Sequence, residues 1–388
     1  MPKTKKIMEE RMNKLNIGLF SASLVSFLAM SVPGYAYMWQ GVEITPRVGL
    51  EETYDSNITS ASSNKMSDML TNATLGLEIK KEEKNSLAQL DMSLARQMFA
   101  QHSEFDSNSV NLNGRYSVDL SKYGSLTVED NFSRADSFST FNQQFGGTSG
   151  LYTRKINDFD TEYKHDVSTE LALRLNYHNT LSYYPSSIQS DSVSHAIGAG
   201  VDYSFSSANM VSADYKHITN DFRPGPMAHV NEVTANYRHY FTPQLFSDIA
   251  AGVDMINNYL KVNKSYPLVK ATLTRNTDRN TTFSVSLEQK HELATTSEDV
   301  FSNWVLSGKV VKQLKERLKG DATVFYGSGK YLGSGHKLVL GGVDAGVNYE
   351  ITKNMNWRCG YLFSKQNTFA GEGDYTKNMV YTGIVLRF

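Results

Sequence analysis

Charged side chains are the residues whose spacing here suggests a task, because they recur at every second position opposite apolar ones. Within extended segments, parity sets Asp91, Arg115, Asp119, Arg174, Asp202, Asp214, Lys216, Glu232, Arg238, Asp254, Lys270, Glu288, Lys290, Asp344 and Arg358 on one face, against Leu, Val, Tyr and Phe on the other. Glu78, Lys80, Asp160, Glu162, Lys164, Lys319 and Glu350 share the polar face. Both signs are interleaved, so these groups can solvate and cross-link a wet wall, or act as rungs that steer an ion or hydrated solute. Catalysis asks for a tighter grouping. His165, His178, His195, His217 and His239 are scattered, and parity puts four of them on the apolar face near segment ends. No Gly-x-Ser-x-Gly and no His-Glu-x-x-His occurs, and Gly327-Ser328-Gly329-Lys330 lacks the spacing that wraps a phosphate. Asp55-Ser56-Asn57 and Gly371-Glu372-Gly373-Asp374 lack the ordered oxygen spacing of a calcium loop and read as solvated polar loops. The single cysteine, Cys359, excludes an intramolecular disulfide and a thiolate zinc site, and it shares a face with Trp357, Tyr361 and Phe363 as an inert small hydrophobe. We expect no enzyme activity, no cofactor and no metal.

The elements that carry this alternation are long strands. They are expected at 43–56, 69–81, 86–100, 107–121, 124–136, 151–167, 169–183, 190–205, 209–219, 228–241, 244–258, 265–276, 280–291, 298–312, 317–328, 338–350, 354–366 and 376–388. Strands of soluble sheets usually have about five or six residues. Ten or more are what a tilted strand needs to cross a bilayer. The connections alternate between short ones, such as Ser121-Lys122-Tyr123-Gly124 and Thr242-Pro243-Gln244, and longer ones rich in Ser, Gly, Asn and Asp. Val201-Asp202-Tyr203, Ala235-Asn236-Tyr237 and Val347-Asn348-Tyr349 each set a Tyr just before a short turn, where an interfacial aromatic girdle would lie. Val310–Lys319 has a helix-like composition, but strand–turn–strand fits the phase better.

Bulk properties agree. The chain has 388 residues, a net charge of −1 and 20% charged residues, which argues against a nucleic-acid partner and its basic stripe. A mean hydropathy of −0.40 is low for a membrane protein built of helices but suits strands with one apolar face, and no stretch after Val32 approaches the roughly eighteen apolar residues that a spanning helix needs. Lys3, Lys5, Lys6, Arg11 and Lys14 precede the apolar stretch from Ile17 to Val32, and Gly34-Tyr35-Ala36 offers a cleavage site, so residues 1–36 read as a signal peptide. Its removal takes away five basic and two acidic residues and moves the charge from −1 to −4. The remainder, 37–388, shows no linker and reads as one domain.

The last stretch sets Val380, Thr382, Ile384, Leu386 and Phe388 on one face. It resembles the final strand of bacterial outer-membrane barrels, a likeness that implies that Phe388, Leu386 and Ile384 are read by the outer-membrane insertion machinery. The expected fold is all-β: a single transmembrane antiparallel up-and-down β-barrel of the outer-membrane type, of about 18 strands (roughly 16–18). Ile44-Thr45-Pro46-Arg47-Val48-Gly49-Leu50, followed by Tyr54-Asp55-Ser56-Asn57-Ile58, resembles the start of outer-membrane β-barrel porins associated with exopolysaccharide clusters. That resemblance implies an outer-membrane exit for a secreted exopolysaccharide, with a periplasmic export protein as a partner and no catalytic residues. Two alternatives stand beside it. A general or solute-specific diffusion porin would need an inward-folded loop, for which Ser137–Gly150 is the candidate; an outer-membrane hydrolase would need a His–Ser or His–Asp cluster at the rim. The expected surroundings are outer-membrane lipid outside and a polysaccharide or small hydrophilic solute inside.

Overall fold

The computed structural model describes residues 37–138, 151–185, 191–223, 225, 227–258, 262–278, 280–294, 299–368 and 373–388. The expected signal peptide and residues 139–150, most of the candidate inward loop, lie outside the described residues. Strand β1 (Tyr37–Trp39) is short. It is followed by β2 (Val42–Asp55), β3 (Asp68–Glu83), β4 (Ser86–Phe99), β5 (Ser107–Asp119), β6 (Gly124–Phe138), β7 (Leu151–Asp166), β8 (Leu171–Tyr183), β9 (Asp191–Ser206) and β10 (Asn209–Arg223). The second half holds β11 (Met227–Thr242), β12 (Leu245–Asn258), β13 (Val262–Asp278), β14 (Thr281–Ala294), β15 (Asp299–Lys315), β16 (Leu318–Tyr331), β17 (Lys337–Thr352), β18 (Met355–Thr368) and β19 (Tyr375–Arg387). From β2 onward each strand pairs antiparallel with the next, and β19 pairs with β2 from Met379↔Asp55 to Arg387↔Arg47, closing an 18-strand ring. Closure leaves no long open edge, the condition for a sheet to span a bilayer.

Sequence spacing explains the walls. One face exposes large apolar side chains, among them Leu75, Leu94, Leu175, Ile197, Val285 and Val324. This is the lipid-facing exterior of such a barrel. The helix-like stretch at Val310 is strand, turn and strand: β15 pairs with β16 down to Lys315↔Leu318. At the ends with short turns, a hydroxyl repeatedly accepts from the turn backbone: Ser121 Oγ from the N–H of Tyr123 (3.2 Å), Ser168 Oγ from Glu170 (3.1 Å), Ser206 Oγ from Ala208 (3.3 Å), Thr242 Oγ1 from Gln244 (3.2 Å) and Thr352 Oγ1 from Asn354 (3.3 Å). Ser and Thr are common at tight turns for this reason. Hydroxyl donation from Thr169 and Ser168 holds the exposed Glu170 carboxyl below the usual carboxylate range.

Three features depart from expectation. Strand β1, too short to show periodicity, turns back at Gln40–Gly41, both with positive φ, and pairs Trp39↔Val42 through Tyr37↔Ile44. It occupies the flank of β2 below the point where β19 stops. Next, the β13–β14 ladder ends at Val269↔Gln289, although β14 and β15 stay paired up to Ala294↔Asp299. Pro267, which has no N–H to donate, sits two residues past that point. Third, the inner face is not uniformly polar. Towards the long-loop end it carries three apolar clusters: Ile58, Leu70 and Phe99; Val230, Ile256 and Val300; and Phe301, Phe325, Leu338 and Leu340. Segments packed inward there exclude water, which an alternation pattern within single strands does not reveal.

Candidate functional site

Cross-strand partners point to the same side of a sheet, so the register tells which side chains share the interior. Following the pairs around the ring, every charged residue expected on the wet wall, from Asp91 and Arg115 to Asp344 and Arg358, lies on one face, opposite the exposed apolar one. The structure brings many of them together in pairs. Arg174 on β8 donates from Nε and Nη2 to Asp202 on β9 (2.8 and 2.9 Å), and Nη2 also reaches Asp214 on β10 (2.9 Å). Asn236 Nδ2 completes the group by donating to Asp214 (3.0 Å). This span across three strands needs Gly200 in the middle, since a Cβ there would sit 2.2 Å from Asp214 Oδ1. Arg47 uses the same device, passing Gly76 to meet Asp91 at 2.7 Å. Further pairs are Arg115–Glu129 (2.9 Å), Arg358–Glu51 (2.5 Å), Lys270–Glu288 (3.8 Å), Lys216–Glu232 (4.0 Å) and Arg238–Asp248. Lys290 stands opposite Asn303. Asp119 ends β5, and Asp344 lies on β17 opposite Thr323.

Segregation of charge is not complete. Glu52 faces outward, where Thr71 Oγ1 donates to it (2.8 Å), and Asp130 does the same with Asn157 (2.8 Å). Each short hydrogen bond lowers the cost of a polar group on the outer face. Five histidines also face outward, stacked on aromatic neighbours: His165 on Tyr163, His195 on Tyr177, His217 on His229 and His239 on Tyr237. Ile384 and Leu386 lie on the outer face opposite Leu50 and Val48, with Leu386 buried, and the Phe388 N–H donates to the Pro46 carbonyl (2.9 Å).

A buried polar site stands at Asp55-Ser56-Asn57, where the sequence pattern points to a solvated loop. Asp55 and Asn57 are 2% and 0% exposed. Lys377 on β19, itself buried, lies 2.7 Å from Asp55. Asn57 receives the Ala61 N–H on its side-chain oxygen (3.0 Å), donates its amide to the carbonyls of Ala61 (2.8 Å) and Thr376 (3.2 Å), and its own N–H goes to Asp55 (2.9 Å). The segment from Ser56 to Ser67 thereby folds inward, with Ile58 set against Leu70 and Phe99. Asp68 fastens the neighbouring connection by accepting the N–H groups of Met69 (2.8 Å), Gln101 (3.0 Å) and His102 (2.9 Å), and the His102 ring lies at 3.0 Å. Its clue in the sequence is the run of short polar residues in Tyr54-Asp55-Ser56-Asn57, a composition shared by exposed and buried turns alike. Gly373 and Asp374, of the second loop read as solvated, are described, and Asp374 accepts from the Thr368 hydroxyl (2.9 Å).

One inner-face grouping has the outline of a hydrolytic relay. His178 Nδ1 is 2.6 Å from Asp160, and its Nε2 is 2.8 Å from Thr180 Oγ1. The Thr180 proton goes elsewhere, to Asp158 (2.6 Å). Backbone N–H groups around it are engaged in the β7–β8 and β8–β9 ladders, so none is free to hold an oxyanion.

No protein-family model matches the chain, and no curated protein does. Solved structures match its fold. The outer membrane protein OpdK from Pseudomonas aeruginosa is 12% identical over 89% of this chain and 99% of that one, with a TM-score of 0.50. OpdK with vanillate gives 11% identity, the same coverage and a TM-score of 0.50. The siderophore receptor PirA from Acinetobacter baumannii is 6% identical over 88% of this chain and 80% of that one, also at 0.50. At these identities the likeness is one of fold: a barrel of the Gram-negative outer-membrane type.

Proposed function

We propose that this barrel is a solute-selective channel that passes small hydrophilic molecules across the outer membrane. The observation that carries the reading is the locked inward segment, residues 56–67, held by Asp55–Lys377 and Asn57 against the inner wall. A diffusion porin requires a constriction of this kind, and the ion-paired wall beyond it offers both signs of charge to a polar solute. The group at Asp160, His178 and Thr180 lacks an oxyanion site, which supports a non-enzymatic role. The charged residues of the inner face are the proposed lining, and Ile384, Leu386 and Phe388 the proposed contact for the insertion machinery.

An exopolysaccharide exit remains the second reading, favoured by the Thr45-Pro46 strand and the Tyr54-Asp55-Ser56-Asn57-Ile58 stretch. Single-channel recording of the refolded protein in planar bilayers separates the two. Small, steady conductance that is insensitive to long polysaccharides is the expected result. Conductance blocked by long polymers but not by monosaccharides would establish the exit instead, and a correctly folded barrel that conducts nothing would sink both.

A further inference from the structure

Two carboxylates face each other on the inner wall. Glu232 on β11 is the register partner of Asp254 on β12; Lys216 on β10 flanks the first, and Tyr266 on β13 flanks the second. Like charges placed directly opposite across strands repel. Lys216 is the cation beside Glu232, at 4.0 Å. Asp254 is the deeper of the two, at 4% exposure, and its Oδ1 accepts no hydrogen bond. Its Oδ2 is 3.4 Å from Nδ1 of His291, a ring whose side chain is only 2% exposed, whose Nδ1 has no hydrogen-bond partner, and which stacks on Tyr266 at 4.8 Å between centroids. The other deeply buried inner acids are matched: Asp55 by Lys377, Asp68 by three backbone N–H groups. A buried carboxylate with an unmet oxygen favours whatever brings a cation with donors to it.

We infer that Asp254, Glu232 and the stacked Tyr266–His291 rings form a subsite for the alkylammonium end of a solute. An ammonium has three donors, enough to meet Asp254 Oδ1 and Glu232 together, and aromatic faces attract it. A neutral polyol would leave the excess negative charge unmatched. A metal ion fits less well, because no group of three metal-ligating side chains occurs among the described residues. The subsite lies where the β13–β14 ladder stops, so the hairpin of β14 and β15 supplies His291 without the restraint of a continuous sheet. The inference rests on the channel reading only for how the ligand arrives.

Calorimetric titration of the detergent-folded full chain at pH 8 with 1,4-diaminobutane, and with 1,4-butanediol as the uncharged match, tests it, alongside bilayer conductance. The diamine is expected to bind the wild type and the diol not to bind. Affinity for the diamine should fall at least about tenfold in Asp254→Asn and in Glu232→Gln, while the urea midpoint of Asp254→Asn rises or stays level because an unmatched charge has gone. No diamine binding by the wild type, or equal affinity in all three proteins, overturns the subsite. A lower urea midpoint in Asp254→Asn with unchanged affinity assigns the residue to packing and overturns it as well. Binding without conductance upholds the subsite and overturns the channel; conductance without binding does the reverse.

Discussion

Asp55 and Lys377 show how much a single pair can hold. Both side chains are nearly out of water, 2.7 Å apart, and they join strands at opposite ends of the chain. Removing one partner from such a pair strands a buried charge and costs about 3–5 kcal/mol, whereas removing both is far milder. Lys377→Met should therefore lower the unfolding free energy by about that amount in urea titrations of vesicle-folded protein. Adding Asp55→Asn to it should restore most of the loss, a recovery that a generally damaged fold would not show. Parity read from sequence assigned Arg174, Asp202 and Asp214 to one face, because alternation needs nothing beyond neighbours in the chain. It did not show that they share one guanidinium, since that depends on register between three strands and on the missing Cβ of Gly200. Asp55 and Asn57 misled for a related reason: short polar residues make the same local turn whether water or a strand lies above it.

Among the elements, the inward segment 56–67 invites the most direct manipulation. Replacing residues 58–66 with a short Gly-Ser linker removes Ile58 from its seat against Leu70 and Phe99 but leaves the ladders of β2 and β3 intact. Conductance should at least roughly double, while heat-modifiable migration on gels stays that of a folded barrel. Unchanged conductance would mean that the narrowest point lies elsewhere. All eighteen long strands were readable from period-two alternation, with ends within a few residues, and the short turns from the few residues left between successive strands. What alternation could not show is where a strand leaves its neighbour. The hairpin of β14 and β15 keeps its own pattern past Gln289, and only Pro267 on the facing strand hints that the ladder stops there. The apolar interior clusters escaped for the same reason, since they form between segments far apart in sequence.

At the scale of the whole molecule, the division of the strands into a face of exposed apolar side chains and a face that carries most of the charge is the organising fact. Leu175 points outward from β8 and is 59% exposed. Leu175→Arg should cost about 2–4 kcal/mol in folding into vesicles if its site is near the bilayer midplane, with a smaller cost nearer either surface. A negligible cost would move the membrane belt away from this level. Fold class was legible because strand length, alternation and a short–long rhythm of connections all report the same bilayer. Cargo was not, because selectivity depends on which inner polar atoms stay without a hydrogen bond once the ring has closed, as Oδ1 of Asp254 does and both oxygens of Asp202 do not.

The lock on the inward segment also dates its own formation. Asn57 and the Thr376 carbonyl are separated by 319 positions, and Asp55 and Lys377 belong to the first and last strands of the ring. Contacts between such distant positions come late, after the loop-closure entropy of the intervening chain has been overcome. The segment cannot settle until β19 has found β2. A newly inserted barrel is thus expected to pass through a brief, wide and unselective stage, so that time-resolved refolding into dye-loaded vesicles should show a burst of leakage that ends as the last seam zips.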